Sequence, residues 1–252
     1  MNKVFSIVVT LLIMISIKFI IPSIKRKVYF HPRIQLYYQN PDNYKDIYLE
    51  DGRLHGWFIK GTSNKFILFC HGNAGNISDR INKINKLNDL GHNVLIFDYS
   101  GYGKSGGKPN EKQLYFDGES FLNYLLQVVS KKKIILYGES IGCSVALHLA
   151  IKYNIKKIIL ESPFSSIKDI ASTLLPRFMK FIAKICIEFN NIPMIDQYNG
   201  ISLTMYTEDD DIIPVELIKK IANKSTYPCK MRGSHNYPII DWDIINTFIN
   251  QA

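Results

Sequence analysis

From Phe66 to the end of the chain, short β-rich runs alternate with helical stretches of about 10 to 17 residues, and this rhythm constrains the fold more than any other feature. The runs are Phe66 to Cys70, Asn93 to Asp98, Lys133 to Tyr137, Lys156 to Glu161, Ile201 to Thr207 and Thr226 to Met231. Helical stretches fall near Ser78 to Leu90, Gln113 to Val129, Ser140 to Tyr153 and Pro214 to Asn223, with a last one near Trp242 to Asn250. Phe66 to Cys70 is apolar throughout, as a strand covered on both sheet faces must be. Units of this size join by right-handed crossovers into a mostly parallel, doubly wound α/β sheet with helices on both faces. Ahead of them, Lys45 to Glu50 and Leu54 to Lys60 flank the turn Asp51-Gly52-Arg53 and predict an antiparallel start. In such sheets the chemistry sits at the carboxyl ends of the strands.

A length of 252 residues suits one large domain. The net charge is +9, from 31 Lys+Arg against 22 Asp+Glu. No basic run is interleaved with stacking aromatics, so nucleic acid is not a predicted partner. Apart from Lys25-Arg26-Lys27, the basic residues gather at Lys83 and Lys86, Lys131 to Lys133 and Lys156-Lys157, which read as solvated surface. Cys70, Cys143, Cys186 and Cys229 form no CxxC pair, which argues against a metal or redox site. Cys70 and Cys143 read as small buried hydrophobes and free thiols.

The N-terminus carries a second message. Val4 to Ile21 is apolar apart from Ser6, Thr10, Ser16 and Lys18, and as a helix it would span roughly 27 Å at about 1.5 Å per residue, close to a hydrocarbon core of roughly 30 Å. Pro22 and Lys25-Arg26-Lys27 close the segment. A single-pass anchor over residues 1–27 is the expectation, with the domain at 28–252 beyond it. A cleaved signal peptide is the competing reading, but no small-x-small cleavage site precedes Pro22. Positive charge is heavier after the span than before it, which points to a cytosolic domain.

The sharpest local motif is Gly138-Glu139-Ser140-Ile141-Gly142, set between an apolar strand and a helical stretch. A serine held on a tight strand-to-helix turn, with glycines permitting close backbone approach, presents its hydroxyl as a nucleophile. Acyl transfer also needs two amides aimed at the developing negative charge. One belongs to Ile141, after the serine. The other is expected in His71-Gly72-Asn73-Ala74-Gly75-Asn76, with Asn73 as donor and His71 as a structural brace. A general base belongs on a late loop, and Gly233-Ser234-His235-Asn236 supplies His235. The acid that orients it is sought in Glu208-Asp209-Asp210-Asp211, where four carboxylates compete.

Between Ser165 and Gly200 the rhythm breaks. Ile167, Ile170, Leu174, Leu175, Phe178, Phe181, Ile182 and Ile185 recur near helical spacing, interrupted by Pro176. The segment reads either as an amphipathic helical cover over the core or as a lid lining an acyl pocket.

Taken together, these stretches resemble the α/β-hydrolase family, and within it the ABHD-type and serine-aminopeptidase-like branch. The resemblance also draws on Asp98 to Ser105, Glu161-Ser162-Pro163-Phe164 and Asp210-Asp211-Ile212-Ile213-Pro214, and covers the chain from about residue 45 onward. It implies an acid four residues before the proline, which selects Asp210, with Asp209 and Asp211 as alternative registers. It gives Asp98 and Tyr99 a structural role. Thr207 stands where the family pattern has glycine, and the lid looks reduced.

The expected function is therefore a serine hydrolase of ester or thioester bonds, acting through Ser140, His235 and Asp210 and needing no cofactor. The membrane segment and the lid suggest acyl or lipid substrates, and the resemblance implies esterases, lysophospholipases or depalmitoylases. The rival reading is a non-catalytic, membrane-anchored protein that binds lipids or a partner through the same cleft.

Overall fold

A computed structural model describes residues 26–251 apart from 28, 38–40, 42, 179, 181–182 and 184–187. The predicted anchor at 4–21 lies outside the described residues, as do Phe181, Ile182, Ile185 and Cys186. Among the described residues no helix is long and apolar enough to cross a membrane.

The strands are β1 (His31–Pro32), β2 (Tyr44–Leu49), β3 (Leu54–Ile59), β4 (Phe66–Cys70), β5 (Ala74–Gly75), β6 (Asn93–Phe97), β7 (Ile134–Glu139), β8 (Lys157–Glu161), β9 (Ile201–Thr207), β10 (Tyr227–Gly233) and β11 (Pro238–Ile239). The helices are α1 (Ile81–Asp89), α2 (Glu111–Leu126), α3 (Gly142–Tyr153), α4 (Ile167–Leu174), α5 (Ile192–Gln197), α6 (Val215–Ala222) and α7 (Trp242–Asn250). Nine strands form one sheet in the order β11-β10-β9-β8-β7-β4-β6-β3-β2. From β6 through β10 every neighbouring pair is parallel, while β2, β3 and β11 join antiparallel. The doubly wound sheet and its antiparallel start are as the sequence rhythm predicts.

Side chains of a strand alternate between faces, so one buried strand feeds two cores. In β4, Leu68 and Cys70 join the cluster under α2 and α3, while Ile67 and Phe69 join the one under α1 and α7. Both thiols, Cys70 and Cys143, are buried and free. Truncating a fully buried residue such as Leu136 to alanine costs about 2–5 kcal/mol in such a setting.

Helix α1 follows a 3-10 turn at Ile77–Arg80 that Asn76 caps: its side chain accepts from Ser78 N, and Asp79 Oδ2 in turn accepts from Asn76 N at 2.8 Å. The helix predicted from Ser140 begins at Gly142 instead, because Ser140 has φ +53° and cannot enter a right-handed turn. The two-residue strands β1, β5 and β11 were not expected, since pieces so short carry no periodicity. Strand β1 pairs with β5, the segment just after Asn73, and Arg33 N donates to Gly75 O at 3.0 Å. The chain's entry thus straps the loop predicted to hold an oxyanion.

In the lid-like span, Ser166 caps α4 by accepting from Asp169 N at 3.0 Å, and Pro176 ends it. Asn191 N donates to Ser165 O at 2.8 Å, so the two roots of the span meet. Leu174 and Phe178 are exposed.

Candidate active site

Ser140 sits where β7 turns into α3. An added Cβ at Gly142 would meet Cys70 O at 2.0 Å, and one at Gly138 would meet Cys143 Cα at 2.5 Å. Only glycine permits this double approach of strand, turn and helix. The turn is held from the neighbouring strand, as Ser140 N donates to Glu161 O at 2.8 Å.

His235 follows β10. Its Nε2 lies 3.2 Å from Ser140 Oγ and its Nδ1 lies 2.7 Å from Asp210 Oδ2. The Asp210 side chain is fully buried. Its other oxygen accepts from Ile212 N at 3.0 Å and Ile213 N at 2.7 Å, which fixes the carboxylate's direction. Asp211 instead accepts from the backbone N of His235 at 3.1 Å. Of the competing carboxylates, Asp210 is the one placed against the imidazole. Thr207 donates its hydroxyl to Gly233 O and accepts from Asp209 N, so it joins β9 to the loop carrying His235 rather than disturbing the turn.

Ile141 follows the serine with φ −58° and ψ −30°, at the N-terminus of α3. The close approach of Gly142 to the carbonyls of Cys70 and His71 sets that helix end against the loop bearing Asn73. Asn73 Oδ1 accepts from Tyr102 OH at 3.1 Å. His71 is fully buried, its Nδ1 2.7 Å from Gly72 O, and Tyr99 OH donates to its carbonyl at 2.9 Å. Burial, aided by Arg80, lowers His71 to about 4. It is neutral near pH 7 and braces the loop as expected. Asp98 accepts from Ile77 N at 3.0 Å and lies 3.4 Å from His55 Nδ1, a structural set of contacts. His148 stacks on Tyr115 at 4.3 Å and reaches Glu119 at 2.7 Å, away from Ser140.

One expectation is corrected. Lys83 is not a solvated surface residue: its Nζ lies 2.8 Å from Glu139 Oε2 and 2.7 Å from Glu161 Oε1, with Arg80 Nη2 2.8 Å from Glu139 Oε1. Tyr137 OH completes the set on Glu161 at 2.5 Å. Burial alone would raise the Glu139 carboxyl, but Arg80 and Lys83 hold it far below the usual carboxylate range. Burial likewise opposes the charge on Lys83, and the two glutamates more than restore it. Arg80, Lys83, Glu139 and Glu161 line a cavity of about 880 Å³ together with His235 and Ser162. Among the described residues no cluster of His, Cys, Asp and Glu is disposed to hold a metal ion.

A family profile described as alpha/beta hydrolase fold matches residues 65–211. An uncharacterized membrane protein of Saccharomyces cerevisiae, YNL320W, is 32% identical over 78% of this chain and 75% of its own. The lysophosphatidylserine lipase ABHD12 of Danio rerio is 30% identical over 70% of this chain, which spans 52% of that protein's length. The solved esterase Pf2001 of Pyrococcus furiosus superposes with a TM-score of 0.64 at 22% identity, over 81% of this chain and 90% of that one. The chain belongs to the alpha/beta hydrolase fold family.

Proposed function

We propose that the protein is a serine hydrolase that cleaves ester or thioester bonds of acyl, lipid-type substrates through an acyl-enzyme. The observation that carries this reading is the continuous line from Ser140 Oγ through both nitrogens of His235 to Asp210, at 3.2 and 2.7 Å. His235 Nε2 takes the proton as Ser140 Oγ attacks the carbonyl carbon, and Asp210 keeps the imidazole in the right tautomer and balances its charge. The backbone amides of Asn73 and Ile141 receive the oxyanion. His235 then gives its proton to the leaving oxygen or sulfur, the bond to the acyl carbon breaks, and water, deprotonated by the same nitrogen, releases the acid. This chemistry needs no cofactor. Membership of a hydrolase family supports hydrolysis in general, and the lipase ABHD12 among the relatives favours a lipid-type acyl group.

In the same reading, residues 1–27 form a membrane anchor with its basic flank, residues 28–252 the hydrolase domain, and 165–200 a helical lid. The apolar run Val4 to Ile21, the yeast relative named as a membrane protein and the exposed Leu174 and Phe178 support it. A series of p-nitrophenyl esters and acyl thioesters from two to sixteen carbons, given to the full-length chain in detergent micelles, tests the substrate class. Rates that climb with chain length and vanish in Ser140→Ala are expected. A sharp optimum at acetyl would overturn the lipid-type assignment.

A further inference from the structure

The cavity beside His235 has a side. His235, Ser162, Ala74 and Gly75 line it, whereas Ser140, Ile141 and Asn73 do not. In acyl transfer the acyl carbon bonds to the serine oxygen, while the departing alcohol oxygen takes its proton from His Nε2. A cavity that reaches the histidine but not the serine is on the alcohol's side. This step rests on the serine-hydrolase reading above.

The walls then define the alcohol. Four cationic and four anionic side chains line the cavity, besides His235, so its formal charge balances. Most of them already hold one another: Arg33 Nη1 is 2.7 Å from Asp79 Oδ1, Arg80 is 2.8 Å from Glu139, and Lys83 bridges Glu139 and Glu161. An anionic group would find no surplus positive charge there. An alkyl chain would desolvate these ions and return no hydrogen bond. Yet the pairs are not saturated. A guanidinium has five N–H donors and each carboxylate oxygen two lone pairs; Arg80 spends one donor on Ala74 O and one on Glu139. A paired guanidinium and carboxylate thus present a donor and an acceptor side by side, which two adjacent hydroxyls match, one accepting and one donating. The lining also includes Trp242 and the exposed Tyr237, whose flat apolar ring faces suit the C–H face of a polyol. Ser162, also in the lining, gives an independent sign of shaping. It holds φ +48° and its buried hydroxyl has no hydrogen-bond partner among the described residues. A non-glycine residue keeps such strain where the surroundings impose it, as they do around ligands.

We propose that this cavity is the leaving-group subsite, and that it receives an electroneutral alcohol bearing adjacent hydroxyls, such as a glyceryl or sugar moiety. In the acylation step the acyl carbon–oxygen bond to that alcohol breaks, His235 Nε2 delivers its proton to the departing oxygen, and the acyl group stays on Ser140.

The test uses the full-length chain and four octanoyl esters that share one acyl group: those of propan-1-ol, glycerol, glucose and glycerol 3-phosphate. Because all four pass through the same acyl-enzyme, differences in kcat/KM report the leaving-group side alone. The glyceryl or the glucosyl ester should exceed the propyl ester by about tenfold or more, since sites built to bind hydroxyls reject analogues lacking them. Whichever of the two leads identifies the source of the diol. Asn82→Trp, an exposed wall position on α1, should bring the ratio of polyol ester to propyl ester near one, and a ratio is insensitive to a partly unfolded sample. Equal kcat/KM for the propyl and polyol esters overturns the proposal, as does a preference for the phosphorylated ester, which would make the cavity an anion site. Fluorophosphonate labelling is run on the same sample. Absent labelling would defeat the serine-hydrolase reading itself, whereas labelling with no leaving-group preference defeats only the subsite.

Discussion

Lys83 Nζ lies 2.7 Å from Glu161 Oε1, joining helix α1 on one face of the sheet to the carboxyl end of strand β8. The same ammonium holds Glu139, the residue before Ser140, and the carbonyl of Glu161 receives the Ser140 amide. Two strands, one helix and the turn bearing the serine are therefore fixed by one cation.

Replacing that cation tests the consequence. Lys83→Met leaves Glu161 with only Tyr137 and Glu139 with only Arg80, and uncompensated buried charge is costly. A loss of about 3 kcal/mol in urea unfolding at pH 7 is expected. The pH dependence has a definite sign. Glu139 is held below its ordinary value, so its contribution is complete above about pH 4.3 and is lost as pH falls toward the depressed value. Lys83 and Arg80 are raised, so their contribution holds in full below their ordinary values and is lost only as pH rises through the folded ones. Wild-type stability should thus fall as pH drops from about 4.3, and fall less steeply in Lys83→Met, where Glu139 keeps one partner.

Asp210→Asn removes the acceptor that selects the tautomer of His235 while keeping the shape of the side chain. Turnover is expected to fall about ten-thousandfold with the circular dichroism spectrum unchanged. Asp211→Asn, which alters only a bond to the His235 backbone amide, should cost far less. Equal losses in the two variants would contradict the assignment of the acid.

Ser140 stands at φ +53°, a conformation that costs a non-glycine residue about 1–2 kcal/mol. Ser140→Gly should abolish turnover and raise the thermal midpoint by about 2–4 °C. Ser140→Ala keeps the Cβ and the strain, and should lose activity without that gain. Scanning calorimetry on the two variants separates the effects.

The alternation of β4, β6, β7 and β8 with helices was legible because a strand buried on both faces must be largely apolar, and the glycines of the serine turn were legible because nothing larger fits. Ser140 was read from its glycine-flanked turn, His235 from its late loop and Asp210 from the family resemblance, and the structure brings those three side chains together. What escaped was of two kinds. Strands β1, β5 and β11 are two residues long, too short for any period to register. The partners of Lys83 stand 56 and 78 positions away, so the lysine read as solvated surface. A usable signal did exist: Glu139 lies two residues past the predicted run Lys133 to Tyr137 and Glu161 ends the run Lys156 to Glu161, and carboxylates at the carboxyl ends of buried strands require a cation.

The proposed chemistry requires the hydroxyl of Ser140 to be a nucleophile activated by His235. Incubating the full-length chain with a fluorophosphonate probe and mapping the adduct by mass spectrometry tests this most directly. One phosphonyl group on the peptide containing Ser140 is predicted, absent in Ser140→Ala and slowed at least a hundredfold in His235→Ala. A folded wild-type protein that takes up no probe, or takes it up on another residue, would contradict it.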